Sequence, residues 1–436
     1  MSSPDSDAPA PDQTPAGLVA HFVRHASARV VARLARRFGV GALADVEDAV
    51  QDALVVALTS WSLQGLPADP AGWLYRVAYN AQLDRLRRRA VAARLAPEAT
   101  DAAPATTGPE PDGARLPGEV ADDQLRMLFV CCDPQLPAES QLVLALKVLC
   151  GFGTAEIALR LFTTEANVYK RLARARDALR ARAVELDTPL DLAARLPSVQ
   201  MVLYLLFNEG YGAARRDALV RRDLCDEALR LAYLLLAHPP CDHPTTRALV
   251  ALFHLHAARL ATRVDAAGDL LLLADQDRSR WDRDHIARGL RWLAASADGD
   301  VLSRFHAEAA IAAEHALAPT FAATRWREIA DLYQLLDRCA PSPLNALNRA
   351  VAIAEVDGAA AGLAALEGVR LPPGMAGYYL WDAVVGDLLV RADRPAQARP
   401  YLARAAAAAP TDAERALLAR RLARCDAVLE ARPQES

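Results

Sequence analysis

The 436-residue chain is 53% hydrophobic and 24% charged, a composition that excludes a wholly disordered polymer, and its length accommodates about three domains of about 150 residues. Its net charge of −4 excludes a polycation, so any surface for nucleic acid has to be local. No apolar run reaches about 18 residues without a charge, so no membrane helix is expected.

Residues 1–15, MSSPDSDAPAPDQTP, are acidic and proline-rich and read as a disordered tail rather than a signal peptide. Residues 16–89 are helical by pattern. Within them DVEDAVQDALVVAL, from Asp45, places Val46, Ala49, Val50, Ala53 and Ala57 on an apolar stripe. Asp45, Glu47, Asp48, Gln51 and Asp52 lie largely on the opposite side. After a Pro67–Gly72 turn, WLYRVAYNAQLDRLRRR offers Leu74, Val77, Ala78, Ala81 and Leu86 for packing. The same helix carries Trp73, Arg76, Tyr79, Asn80, Asp84, Arg85 and Arg88, and aromatics interleaved with arginines suit unstacked bases and a phosphate backbone. The plainer reading is a salt-bridged surface helix with an Asp84–Arg88 pair.

Residues 90–119 are rich in Ala, Pro, Thr and Gly and predict a flexible linker. Residues 120–187 form a second helical unit. Thr154 is placed to cap a short helix, and Thr164 a second one starting at Glu165. Val168, Leu172, Ala175 and Leu179 make one buried stripe on that second helix, leaving Asn167, Lys170, Arg171 and Arg174 exposed. From Cys150 to Arg182 there are seven basic residues against three acidic ones. A short helix, a turn and a basic helix form a helix-turn-helix, whose second helix reads the major groove. Phe162 stands where glycine is common in such a turn.

Residues 195–436 read as helices separated by Pro and Gly. Gly386, Ala398, Leu402, Ala405 and Pro410 sit at tetratricopeptide-like offsets, and Asn348–Leu366 suggests another helix pair around Gly358. The fold class is therefore all-α: two small helical domains joined by a linker, then a helical-repeat domain. FNEGY supplies Asn208, Glu209 and Tyr211, and DQDRSRW supplies Asp275, Asp277, Arg278 and Trp281. These form either a contact surface or a structural network, with Arg278 expected to pair with Glu209 or Asp275. Their spacing matches no nucleophile elbow, phosphate loop or zinc signature, and His254 and His256 cannot share one helix face, so no enzyme is expected. Seven cysteines at irregular spacings, without a CxxC pair, predict reduced buried thiols in a cytoplasmic protein, with no metal and no cofactor.

Taken in order, the acidic amphipathic helix, the aromatic-basic helix and the helix-turn-helix beyond a linker resemble the sigma-70 family of bacterial transcription initiation factors. The likeness covers about residues 16–187 and is to the compact extracytoplasmic-function type, which has only regions two and four. It implies that DVEDAVQDALVVAL docks on core RNA polymerase through Asp45, Glu47, Asp48, Gln51 and Asp52. PAGWLYRVAYNAQLDRLRRR then reads the −10 element, and the basic helix reads the −35 element with Glu165, Asn167, Lys170, Arg171 and Arg174. VLYLLFNEGY, DQDRSRWDR and SPLNALNRAVAIAEVDG resemble the subgroup with a long tetratricopeptide-like C-terminal extension, although Asp133 stands where that subgroup suggests histidine. The expected partners are core polymerase, promoter DNA, and a regulatory protein or an intramolecular contact through the extension. The alternative is a stand-alone helix-turn-helix regulator with a helical sensor domain.

Overall fold

The computed structural model describes residues 15–95, 122–181, 190–212, 221–265, 269–299, 301–372, 375 and 377–431. Among these every named element is helical, apart from one isolated bridge between Val264 and Leu270. The expected tail lies outside the described residues except for Pro15, which opens the first helix. Of the expected linker, residues 90–95 complete a helix and the rest lie outside.

Two compact units form. The first contains the described residues up to Ala158 together with Glu165–Val202; the second contains Leu159–Thr164 and the described residues from Leu203 onward. In the first, α1 (Pro15–Phe38) stops at Gly39, whose φ of 82° reverses the chain without steric cost. α2 (Leu43–Gln64) ends at Gly65, φ 81°, whose N–H donates to the Trp61 carbonyl at 2.9 Å. α3 (Pro70–Leu95) starts with proline at its first position, where a missing N–H costs nothing. The stripe Val46, Ala49, Val50, Ala53 and Ala57 is buried as its spacing predicts. On α3 the pattern departs from expectation. Leu74 and Ala78 are buried, but the next inward position four residues on is Gln82, and Leu86 is exposed.

α4 (Asp123–Cys131), α5 (Ala138–Leu149), α6 (Thr154–Arg160) and α7 (Glu165–Ala181) follow in the next described segment. Asp122 caps α4, accepting from the Leu125 N–H at 2.9 Å. α1 packs on α4 and α5, and Arg36 pairs with Asp123 at 3.0 Å. Asp133 is buried and accepts from Gln135 N–H at 2.9 Å and from Arg195 at 3.2 Å. A carboxylate at this position therefore anchors the start of α8 (Leu192–Tyr211).

The second unit continues through α9 (Arg222–Leu236), α10 (Pro244–Ala257), α11 (Arg283–Ala295), α12 (Arg304–Leu317) and α13 (Trp326–Cys339). It ends with α14 (Pro343–Asp357), α15 (Ala359–Ala364), α16 (Tyr379–Arg391), α17 (Pro395–Ala408) and α18 (Asp412–Ala431). These helices pack mainly on their neighbours in sequence, the contact pattern of a solenoid. The offsets read as repeat-like carry the close approaches. A Cβ on Gly386 of α16 would sit 2.8 Å from Leu402, and Ala398, Leu402 and Ala405 of α17 are fully buried. α14 and α15 meet through Gly358, φ 88°, as the Asn348–Leu366 pattern suggests.

Candidate functional site

The acidic residues of α2 do not form one free face. Glu47 is 8% exposed and pairs with Arg176 of α7 at 2.6 Å; burial pushes its carboxyl above the usual range, opposed by the Arg176 charge. Glu47 is therefore an internal strut, which corrects its expected place on a docking surface. Asp45 is half-buried and takes two bonds from Arg89, at 2.5 and 2.7 Å. Asp48 and Asp52 are exposed, yet Arg85 of α3 reaches both, at 3.4 and 2.5 Å. Gln51 is exposed.

The helical period supplies what the charge pattern missed. Asp48, Gln51, Asp52, Val55 and Val56 follow i, i+3, i+4, i+7, i+8, so they share one face. Val55 is 64% and Val56 48% exposed, and Leu58 and Leu63 of α2 and Leu66 just past it are exposed as well. An apolar patch rimmed by acids is the composition of an interaction surface.

On α3, Arg76, Asn80, Asp84 and Arg88 are exposed at i, i+4, i+8, i+12. Asp84 pairs with Arg87 at 3.3 Å, not with Arg88. Arg76 and Arg88 have no carboxylate partner among the described residues. The aromatics are packed rather than splayed. Trp73 lies edge-on to Trp61 at 5.3 Å, and Tyr79 sits between Phe38 and Tyr75 at 5.5 and 6.0 Å. Arg85 is committed to α2.

In the helix-turn-helix, Ile157 and Ala158 of α6 and Val168, Leu172, Ala175 and Leu179 of α7 are buried. Thr154 is the first residue of α6 rather than its cap, and its hydroxyl donates to Glu165 at 2.9 Å, tying α6 to the start of α7. Phe162 occupies the glycine-like turn position with φ 48°, a conformation L residues adopt at a cost. Its ring packs edge-on to Tyr378 at 5.5 Å inside the second unit, which supplies the contact that holds it there. Arg171 is half-buried and tied to Glu139 of α5, less exposed than its position on the helix suggests. Lys170 and Arg174 are exposed and have no carboxylate partner among the described residues. Asn167, Glu165 and Tyr169 are also exposed; Tyr169 stands beside Lys170 on α7 and, carrying neither charge nor amide, is not singled out by the sequence pattern.

The C-terminal motifs are largely internal. Glu209 is fully buried and accepts from Arg160 at 2.6 Å, with Arg221 at 4.0 Å. Gly210 has no room for a Cβ, which would lie 2.7 Å from the Arg221 carbonyl and Cys225 N–H. Asn208 accepts the Gly212 N–H through its carbonyl at 3.0 Å. Tyr211 is stacked on Phe207 at 6.3 Å and flanked by Arg259 and Arg263, 5.3 and 3.9 Å from its ring centroid. Arg278 pairs with neither Glu209 nor Asp275. It donates to the carbonyls of His315 and Ala318 at 2.8 Å each and to Thr324 at 3.2 Å, fixing the segment after α12. Asp277 is an exposed cap on Ser279 N–H at 2.9 Å, Asp275 is exposed, and Trp281 is buried.

Buried histidines give this unit a definite acid response. Desolvation, with nearby Arg and His charges, lowers His254 to about 4 and His315 to about 3, and holds His256 well below the ordinary histidine value. Below the ordinary histidine value of about 6.5 the unfolded chain binds more of these protons than the folded one, so stability falls as pH drops. Thermal melts of the full chain between pH 7 and 4.5 are expected to show a falling Tm with net proton uptake on unfolding; a flat Tm would contradict the burial of these rings.

Six cysteines are buried and Cys339 is exposed, all as free thiols, and the described residues contain no cluster suited to a metal. No described helix is long and apolar enough to cross a membrane.

Comparison with known proteins agrees with this geometry. The family model of Sigma-70 region 2 matches residues 24–91, and that of Sigma-70, region 4 matches residues 126–179. Residues 195–297 match a family of unknown function, DUF6596. An uncharacterised protein of Rhizobium meliloti (strain 1021) is 38% identical over 378 residues, covering 85% of this chain and 88% of that protein. No solved structure matches. Two sigma regions in order, carried on α1–α3 and α4–α7, together with a relative alike over nearly its whole length, settle the assignment: the chain belongs to the sigma-70 family, as a compact factor of the extracytoplasmic-function type with a C-terminal helical extension.

Proposed function

We propose that this protein docks on core RNA polymerase through the exposed face of α2, reads promoter DNA with α3 and α7, and is regulated in cis by its C-terminal helical unit. Its role is in the cytoplasm and is that of an initiation factor rather than an enzyme. The observation that carries the reading is the division of labour among its cations. Arg85, Arg89, Arg171 and Arg176 are engaged by carboxylates of the same unit, whereas Arg76, Arg88, Lys170 and Arg174 are exposed, without a carboxylate partner among the described residues, on the two helices assigned to DNA.

The docking face is Asp48, Gln51 and Asp52 with Val55 and Val56, the acids forming a rim to an apolar centre. The −35 contact rests on Lys170, Arg174 and Asn167 of α7, with Arg76, Asn80 and Arg88 of α3 on the −10 element. For Arg174→Ala, loss of a bidentate base contact costs about 1–3 kcal/mol and relaxes sequence preference at one position. Binding of the polymerase complex to promoter variants, measured against salt, checks this. A uniform loss with a shallower salt slope reassigns Arg174 to phosphate, and no change removes α7 from the reading.

Regulation in cis is supported by the membership of the second unit. The helix-turn-helix residues Leu159–Thr164 belong to it, with Arg160 held by the buried Glu209 and Phe162 by Tyr378. A segment so anchored gives the extension a handle on the reading helix that follows it.

A further inference from the structure

We propose that the C-terminal unit binds a small organic anion, an apolar or aromatic body carrying one carboxylate or phosphate group, in the cavity enclosed by α8, α10, α12, α13 and α14. The cavity holds about 430 Å³, within the range of small-molecule sites, and all of its lining residues come from the second unit. This goes beyond promoter recognition and stands whether or not the extension controls transcription.

The chemistry of the lining names the ligand. Arg259 Nε and Trp281 Nε1 are buried donors without a hydrogen-bond partner among the described residues, and Trp281 is 3% exposed. Both nitrogens can donate and neither can accept, so only an acceptor satisfies them. His256 and His315, also among the lining residues, have unpartnered Nδ1 atoms.

Charge points the same way. The carboxylate of the lining, Glu308, is already engaged: Arg304 donates to it at 2.8 Å and the Tyr204 hydroxyl at 3.3 Å. Arg259 has no carboxylate partner among the described residues; Arg263 shares the Tyr211 ring with it, and its charge is felt by Arg278. The crowding of these guanidiniums shows in their neighbours. Burial and the Arg259 charge hold Arg278 below the ordinary arginine value, and His256 and His315 stay neutral beside them. A net positive, donor-rich wall is complementary to an anion.

The opposite lining is apolar. Leu255, Ile311, Ala312, Leu336 and Leu344 form it, with the Tyr333 ring. An inorganic ion would leave this surface unfilled, which is why the ligand is assigned an organic body.

The test uses the full chain and a fixed set of probes: benzoate, indole-3-acetate and phenyl phosphate, with benzyl alcohol and indole-3-ethanol as neutral counterparts and inorganic phosphate as the bare anion. Titration calorimetry and the shift in Tm read binding. At least one organic anion is expected to bind below about 1 mM and to raise Tm, with its neutral counterpart and inorganic phosphate at least about tenfold weaker. Arg259→Gln is expected to weaken that binding at least about tenfold, with partial rescue in Arg259→Lys. Ala312→Phe, which fills the cavity, is expected to abolish binding while circular dichroism stays that of the parent. Arg288→Gln, outside the cavity, is the control and is expected to bind as the parent does. The proposal is overturned if none of the organic anions binds below about 1 mM, if neutral and charged probes bind alike, if Arg259→Gln binds as the parent does, or if a folded Ala312→Phe chain binds unchanged. Should Ala312→Phe fail to fold, Arg259→Gln decides on its own.

Discussion

Replacing Val55 and Val56 together with aspartate is expected to release the protein from core RNA polymerase while leaving its helices intact. Both side chains are solvent-exposed on α2, at 64% and 48%, so the substitution removes no internal packing. They lie at the centre of the face rimmed by Asp48, Gln51 and Asp52, where truncation of an interface anchor costs about 2 kcal/mol or more. That corresponds to roughly a thirtyfold rise in Kd. Reversing the charge at Asp48 and Asp52 is a less clean experiment, because new lysines there would face Arg85, which bonds both carboxylates. Co-purification and titration of the double variant with core polymerase read the effect, with circular dichroism as the control. Unchanged affinity would remove α2 from the docking surface.

Glu209→Ala is expected to produce the largest loss of stability among single substitutions in the second unit. Its carboxylate is fully buried, between Arg160 at 2.6 Å and Arg221 at 4.0 Å. Removing one side of a buried ion pair strands the other charge, at a cost of about 3–5 kcal/mol. The lower end applies here because Arg160 keeps 22% of its side chain exposed. Glu209→Gln keeps the volume and an acceptor and is expected to cost less. Urea denaturation of the full chain measures both, and an alanine variant within about 0.5 kcal/mol of the parent would contradict the network. Because Arg160 closes α6, the same substitution is expected to alter transcription from a cognate promoter. Removing residues 195–436 is the larger version of that test, and full, normally regulated activity in the truncated chain would contradict control in cis.

The sequence made the architecture legible wherever a period or a cap is local. The α2 stripe from Val46 to Ala57 and the α7 stripe from Val168 to Leu179 are buried as spacing alone predicts. The turn residue Phe162 was recognisable as standing where a left-handed conformation is needed, and it adopts one. What stayed hidden is non-local. Nothing around Glu47 announces Arg176, 129 residues away, so an acidic residue that is an internal strut reads as part of a solvated face. The same holds for Arg171 with Glu139 and for Arg278, whose partners are main-chain carbonyls near residues 315–318. Gln82 takes an inward position on α3 that a hydrophobic pattern cannot register, and Leu86 is exposed. Val55 and Val56 were legible in principle, since at i+7 and i+8 they continue the Asp48 face about two turns on. They were passed over because valines in an amphipathic helix are counted toward the core. The donor-rich cavity of the second unit draws on α8, α10, α12, α13 and α14, so no stretch of sequence displays it.

Mapping the 5′ ends of transcripts made in vitro on host genomic DNA, by core RNA polymerase with and without this protein, tests the central claim most directly. The account predicts a restricted set of new start sites that share upstream elements, require the protein, and weaken with Arg174→Ala. Start sites identical to those of core polymerase alone would contradict it.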